Sequence, residues 1–409
     1  MLQHLRSNSA DAAFGRTRAV LWCCRRTRQH IERMRLTVRL DELFALIEQH
    51  QTTARTVLGV NRGSDNGQKL NRRSLVTGSL AAAVTMPAII RSANAQEQVS
   101  WKVQAHWPKA SGSYRDSLVV LQKELEQRTG GRFKLELFGA GEIAKDREIY
   151  NIVRRGVVPM GTISPGYILG EAQAMGFYFG VPGTLRESWE MMLFTKNLGI
   201  EKLVNDELRP KGVIALGDKA YPTELVLKRK INSVDELGSV KVRSSGTMLE
   251  YLAAAGLSPQ QVAGPEVYQA IATGVVDGAH WGAAVGALSM KFWEVAPFHM
   301  KPALGITNDV FILNVAALEQ LPADLRLILL ALLEERYFRR TVEYLQQEAV
   351  ALKTGQSRMN VEVVRYPDDV QKKFDGASKG ILDKEIGKGP IAASAGEIMK
   401  KLLTDLNYV

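Results

Sequence analysis

Cysteine is nearly absent from this chain. Its 409 residues include two, Cys23 and Cys24, both ahead of Gln96, so everything behind that point is without disulfides, thiol nucleophiles or cysteine-ligated zinc. Histidine is scarce too. Of six, only His106, His280 and His299 follow Gln96, and none stands in HExxH or another metal-ligand spacing. No GxSxG elbow, Walker loop or GxGxxG precedes a helix, so no local pattern proposes catalysis, although a triad can assemble across a fold. Long hydrophobic runs are missing as well: the apolar stretch from Ser74 to Ile90 is interrupted by Pro87 and is shorter than the roughly 20 residues a spanning helix needs. At 45% hydrophobic residues the chain can still bury one large or two medium cores, as a globular protein does.

The body also lacks a basic surplus. The net charge is +10, but 15 of the 53 Lys and Arg and 6 of the 43 Asp and Glu precede Gln96, which leaves +9 in that segment and +1 behind it. A near-neutral body has no electrostatic footprint for a phosphate backbone, which excludes nucleic acid as a partner.

The basic leader has an address. NRRSLVTGSLAAAVTMPAIIRSANAQ, from Asn71, combines the Arg72-Arg73 pair, an apolar stretch and the small-residue pattern Ala93-Asn94-Ala95, the three parts of a twin-arginine export signal. Removal is expected rather than membrane anchoring, with a mature chain starting at Gln96 and residing in the periplasm. Residues 1–70 are expected to be an upstream extension, from a start site placed too early or disordered, because an export signal is about 15–30 residues long.

Behind the leader, SWKVQAHW reads as a strand, SYRDSLVVLQKELEQRTGG as a helix ended by Gly130-Gly131, and RFKLELF as a second strand. The alternation continues, so the expected class is α/β with largely parallel sheets. EIYNIVRRGVVPMG, from Glu148, returns as EVYQAIATGVVDGAH, from Glu266. Each copy is a helix stopped by Gly and feeding a strand. Two copies predict two lobes of like architecture, and because ligands gather beyond the carboxyl ends of strands in open α/β sheets, two such ends face to face predict a cleft. TNDVFILN, past Gly305, reads as a strand returning to the first lobe. The segment from Leu321 reads as a long helix starting behind Pro322, its leucines core rather than partner seam because no heptad is sustained.

Arg243 closes the apolar strand KVR and is followed by Ser244, Ser245 and Gly246, small residues that leave room beside a guanidinium. That fork of donors fits a carboxylate with two parallel hydrogen bonds, which makes Arg243 the candidate anchor for an acid. His280 and Trp281 end the second copy's strand. Ser164 and Tyr167 follow the first copy's. His106 and Trp107 end the first strand of the body, and Tyr221, last in the expected first-lobe segment, completes the candidate ligand-binding set. Asp277 reads as structural, holding local backbone.

GGRFKLELFGAGEIAKDREIYNIVRRGVVPMG, VDELGSVKVRSSG, EVYQAIATGVVDG and the LPADLR helix start together resemble the solute-binding proteins of tripartite ATP-independent periplasmic (TRAP) transporters, of the dicarboxylate-binding DctP type. The resemblance implies a two-lobed, type II-like periplasmic binding protein with a ligand cleft between its lobes and a long supporting helix. It implies that Arg243 takes a substrate carboxylate, and that membrane permease subunits are partners in sodium-coupled uptake of a small carboxylic, 2-oxo or hydroxy acid. The expected lobes are 96–221 with about 306–345, and 222–305 with about 346–409. One branch of that family binds 2-oxo acids with a cation and carries Glu-Trp where this chain has His280-Trp281. A neutral imidazole suits a hard cation poorly, so neither a metal nor a cofactor is assigned. An ABC-type receptor for an organic acid and a periplasmic enzyme are the alternatives; the expectation is a protein that binds and does not turn over its ligand.

Overall fold

The computed structural model describes residues 98–409; the upstream extension, the export signal and both cysteines lie outside them. The first expected unit is present. Strand β1 (Val99–Gln104) leads through a π-helical turn into helix α1 (Val120–Arg128), which returns to β2 (Phe133–Phe138), and β1 and β2 pair in parallel. Leu118, Leu121 and Leu125 are fully buried against the sheet. Gly131 N–H bonds Glu126 O and Gly130 N–H bonds Gln127 O, both glycines at positive φ, which is the left-handed stop that favours glycine.

The first copy of the repeat forms α2 (Ile149–Arg154) and β3 (Met160–Ile163). The chain then runs through the long strand β4 (Val213–Thr223), β5 (Leu225–Leu227) and β6 (Lys241–Arg243), followed by helix α3 (Gly246–Ala254) and β7 (Ser258–Gln260). The second copy forms α4 (Val267–Ala272) and β8 (Gly278–His280), with α5 (Ala284–Ser289) behind it. Strands β9 (Phe298–Lys301) and β10 (Gly305–Asn314), helix α6 (Ala323–Arg358), β11 (Glu362–Arg365), and helices α7 (Asp368–Ile386) and α8 (Pro390–Asp405) close the chain.

These strands make two sheets, of order β2-β1-β3-β10-β4 and β11-β9-β5-β8-β6-β7. The fold is α/β and two-lobed, and each copy of the repeated phrase places its strand third from its sheet's edge, between a parallel neighbour and an antiparallel one. The copies agree in detail: Val157 and Val275 are 58% and 53% exposed, whereas Val158 and Val276 behind them are buried. The sheets are mixed rather than largely parallel, since β10 runs against both β3 and β4, and β5 against both β8 and β9. The reason is the crossings. β4 passes into β5 through Glu224, and β9 into β10 through Pro302–Leu304, so a strand arriving from the other lobe needs no helical crossover to set it parallel.

At the first crossing the buried Glu224 carboxylate accepts from His299 and Lys301, which ties the two connecting segments together and gives His299 a structural place. Helix α6, about 54 Å long at 1.5 Å per residue, packs on α1 and β4 with its first half and on α5 with its second. Its Leu325, Leu329, Leu332 and Leu333 sit in the core under the first sheet, and Tyr344 and Ala351 in that of the second lobe. Helix α7 packs on α3, but α8 packs on the segments Met175–Phe179 and Ile200–Leu208 beside the first sheet. Ala392, Ala395 and Met399 on one face of α8 are buried, and α8 also packs along α7, so the C-terminal segment touches elements of both lobes. Among the described residues no helix is long and apolar enough to cross a membrane.

Candidate functional site

The carboxyl ends of β1, β3, β6 and β8 converge. Between the lobes they enclose a cavity of about 50 Å³, and all eight residues singled out from the sequence line it: His106, Trp107, Ser164, Tyr167, Tyr221, Arg243, His280 and Trp281. Lys219, Asp309, Tyr344 and one face of α5 line it too. The volume suits a molecule of a few heavy atoms.

Arg243 is 3% exposed. Its Nε donates to Val262 O at 3.1 Å, Nη1 to His280 O at 3.0 Å and Nη2 to Tyr167 Oη at 3.1 Å, and the guanidinium carbon lies 4.7 Å from the centre of the Trp281 ring. All three acceptors are neutral. Among the described residues no carboxylate oxygen lies within 4.0 Å of it, so the guanidinium carries a buried charge without a counter-charge, an arrangement that costs several kcal/mol until an anion arrives. The repeat shows how this side chain came to face the cavity. Arg243 pairs with Ala279 in the second sheet as Gln104 pairs with Gly161 in the first, equivalent places in the two copies. Gln104 spends its amide on Ala105 O, Gly139 O and Ile143 N–H; Arg243 holds its own loop through Nε and extends the rest of the fork into the cavity.

Two charged residues that sequence reasoning missed stand on the first-lobe side. Lys219 on β4 and Asp309 on β10 face each other across the ladder, and the register slips between Asp309 and Val310, leaving Asp218 as the extra residue of a bulge. Bulges re-aim side chains. Here Lys219 Nζ lies 2.7 Å from Asp309 Oδ2 and 3.1 Å from Asp218 Oδ2, with its side chain 1% exposed. The rings of Trp107, Tyr221 and Tyr344 surround the ammonium, their centres 4.7, 4.8 and 5.6 Å away. Asp309 also accepts from Trp107 Nε1 at 3.3 Å and Tyr221 Oη at 3.1 Å, and His106 Nε2 stands 3.6 Å from it. Burial alone would raise its pKa, but the Lys219 ammonium and His106 overcome that and hold the carboxyl well below the usual range. Behind the bulge, Ser117 Oγ donates to Asp218 Oδ2 and accepts from Arg340 Nε, so Asp218 has a second cation near it.

His280 Nδ1 lies 2.9 Å from Ser244 Oγ. Burial, with the Arg243 charge adding to it, pushes the imidazole pKa down to about 3, so the ring is neutral at any physiological pH. His106 Nδ1 lies 2.9 Å from Thr162 Oγ1, which fixes the imidazole against β3. Tyr167 keeps its proton, since burial raises its pKa and the Arg243 charge only partly opposes this. Asp277 takes the structural place expected of it, accepting from Lys241 N–H at 2.8 Å. The arrangement can hold one small anion: a fork of cationic donors on one side, a compensated ammonium on the other, and aromatic walls between.

A family model described as bacterial extracellular solute-binding protein, family 7 (DctP), matches residues 104–388. The chain is 26% identical over 263 residues, 62% of its own length and 72% of the other's, to a monocarboxylate 2-oxoacid-binding periplasmic protein of Nostoc sp.. Among solved structures it superimposes on a TRAP transporter solute-binding protein from Bordetella bronchiseptica, described with calcium and picolinate, at a TM-score of 0.71 and 21% identity, over 76% of this chain and 94% of that one. A TRAP solute-binding protein from Pseudoalteromonas atlantica with sodium and pyruvate gives 0.70 at 21%, over 76% and 96%. At these identities the structural likeness is one of fold.

Proposed function

The chain belongs to the bacterial extracellular solute-binding proteins of family 7, and from that premise we propose that it captures a small organic acid, a monocarboxylate bearing a 2-oxo or hydroxy group, in the periplasm and presents it to the membrane permease subunits of a TRAP transporter for sodium-coupled uptake. The observation that carries this reading is the buried, uncompensated guanidinium of Arg243 at the wall of the interlobe cavity. One carboxylate would complete it. The 2-oxo-acid-binding relative and the pyruvate neighbour bind ligands of this kind, picolinate in the other neighbour is likewise a small monocarboxylate, and the small cavity favours an acid of that size over a sugar acid. The ABC-type alternative is not favoured, because the solved neighbours reported above are TRAP receptors.

In this mechanism the acid enters an open cleft and meets the free donors of Arg243. Closing of the lobes then brings Tyr167, His106 and Trp107 over it and expels water, which strengthens the charge-assisted pair as the local dielectric falls. The ligand shifts the open–closed equilibrium by its greater affinity for the closed form, and the closed form is what the permease recognises. Export through the Arg72-Arg73 signal with a mature start at Gln96 belongs to the same reading. So does the assignment of the eight sequence-selected residues to ligand contact. In this reading the protein binds its ligand without turnover and returns it unchanged.

Isothermal titration calorimetry of the exported protein against a panel of organic acids tests this. Stoichiometric binding of a small monocarboxylate, with the acid recovered intact after prolonged incubation, is the expected result. Failure to bind any acid in the panel, or appearance of a product, would overturn it.

A further inference from the structure

The inference here rests on the reading above and concerns what stands opposite Arg243. Solved neighbours hold their acid together with a calcium or sodium ion. Such ions take six or more oxygen ligands, several of them carboxylate. The cavity of this chain does not offer them. Asp309 is the one carboxylate among the described residues that lines it, and its two oxygens already receive Lys219, Trp107 and Tyr221, with His106 alongside. Where the resembling branch carries Glu, His280 presents a neutral imidazole tied to Ser244. Among the described residues no three His, Cys, Asp or Glu side chains gather in a way that could hold a metal ion. The donor set and a hard cation do not fit each other.

A positive charge is present all the same. The Lys219 ammonium stands in the cavity wall, sunk among three aromatic rings and held by two carboxylates. An ammonium has three N–H donors; Asp309 and Asp218 use two. We propose that Lys219 supplies, as a permanent part of the protein, the cationic contact that an ion supplies in those neighbours: its third N–H donates to the 2-oxygen of an acid whose carboxylate sits on Arg243, so that binding is independent of sodium and calcium. The charges around the cavity call for one anionic group in the ligand. Within the cavity Asp309 offsets Lys219, which leaves the single charge of Arg243 to be answered, and behind it Asp218 is reached by Arg340 through Ser117. The bulge at Asp218 gives the arrangement a cause, since without the extra residue Lys219 would keep the ordinary alternation of β4.

The test uses the full exported protein stripped with EDTA and dialysed into potassium buffer free of sodium. Pyruvate, lactate, pyroglutamate and picolinate are titrated calorimetrically there and again after adding calcium or sodium. The expected result is the same affinity in all three buffers for whichever acid binds. A loss of about tenfold or more on stripping, restored by either ion, would overturn the assignment to Lys219 while leaving the acid-receptor reading in place; no binding of any acid in any buffer would overturn both. Lys219→Met supplies a second readout. Removing the ammonium takes away the proposed contact to the 2-oxygen while the cavity still lacks the oxygen ligands an ion needs, so this variant is expected to bind the acid at least about tenfold more weakly in all three buffers. Undiminished binding in potassium would count against the proposal, and if the variant does not fold, the wild-type comparison decides alone.

Discussion

Tyr167 Oη, carried by the turn after β3, accepts from Arg243 Nη2 at the end of β6 over 3.1 Å, a hydrogen bond that joins one lobe to the other across the cavity. Because the hydroxyl stays protonated, its own O–H remains free to donate to a bound carboxylate. Tyr167→Phe is therefore expected to weaken acid binding by about 1 kcal/mol, roughly fivefold, the net worth of one hydrogen bond. Calorimetric titration of the acid identified by the panel checks this, and an unchanged affinity would place Tyr167 outside the contact.

Arg243 itself should tolerate no replacement. Arg243→Lys keeps the charge but offers a point donor in place of a planar fork, and it cannot reach Val262 O, His280 O and a ligand together. An affinity loss of at least about tenfold is expected for it. For Arg243→Ala the loss should be complete, with circular dichroism and melting showing a folded protein, because the backbone bonds of β6 to β7 and β8 do not involve the side chain. Acid binding by the alanine variant at wild-type strength would remove Arg243 from the site.

Glu348 of α6 gives a pH dependence with a definite sign. Its carboxylate accepts from the N–H groups of Ala284 and Val285 at 2.6 and 3.0 Å, where α5 begins, yet burial dominates and pushes its pKa up to about 7. An acid held above its ordinary value of 4.5 binds its proton more tightly in the folded state. Its contribution to stability is then whole below pH 4.5 and is lost as pH rises through about 7. Asp309 shifts the other way and acts at lower pH, outside this window. His280, held down to about 3, contributes the opposite slope up to about pH 6.5 in both proteins, so the expected result lies in the difference: the urea midpoint of the wild type relative to that of Glu348→Gln should decrease from pH 5 to 8. Parallel profiles for the two proteins would show that Glu348 titrates normally.

The legible half of the site lies at strand ends. His280 and Trp281, with Ser164 and Tyr167, could be placed at a cleft because helix, glycine stop and strand follow one another in each copy of the repeat, and Arg243, closing β6, and His106 and Trp107, just past the end of β1, stand on the strands that pair with those two. Lys219 and Asp309 were not legible for the opposite reason. They lie 90 positions apart on two long strands whose pairing, and whose bulge at Asp218, depend on antiparallel register that no local pattern records. A signal was available: IALGDKAY and TNDVFILN each set charge inside an apolar strand, and buried charges on neighbouring strands tend to find each other. Tyr344 is hidden differently, since it is one of three aromatics on a 36-residue helix, with Tyr337 and Phe338, and nothing local says which stretch crosses the cavity. The mixed sheets escaped notice because alternating β and α elements predict parallel pairing, and the two crossings between lobes break that rule.

The closure proposed above has a point of contact that can be blocked without touching a ligand donor. Gly166, in the turn after β3, and Gly246, at the start of α3, meet across the lobes: a Cβ on Gly246 would lie 2.8 Å from Gly166 Cα and 2.8 Å from Phe179 Cε1, and one on Gly166 would lie 3.1 Å from Gly246 Cα. Gly246 has φ +61°, so a side chain there would strain the backbone as well as crowd the contact, and the two effects could not be separated. Gly166 has no positive φ and accepts a side chain at no backbone cost. A side chain there also meets Phe179 Cε2 and Cζ at 3.3 Å within its own lobe, so Gly166→Val is expected to cost about 1–3 kcal/mol of stability, with melting showing a folded protein, while holding the lobes apart. Its affinity for the acid should fall, since the open form leaves the guanidinium–carboxylate pair in water. Small-angle scattering gives the direct readout: the wild type should contract when saturated with its acid, and the variant should not. A variant that contracts like the wild type would show that the Gly166–Gly246 approach is not the stop against which the lobes close.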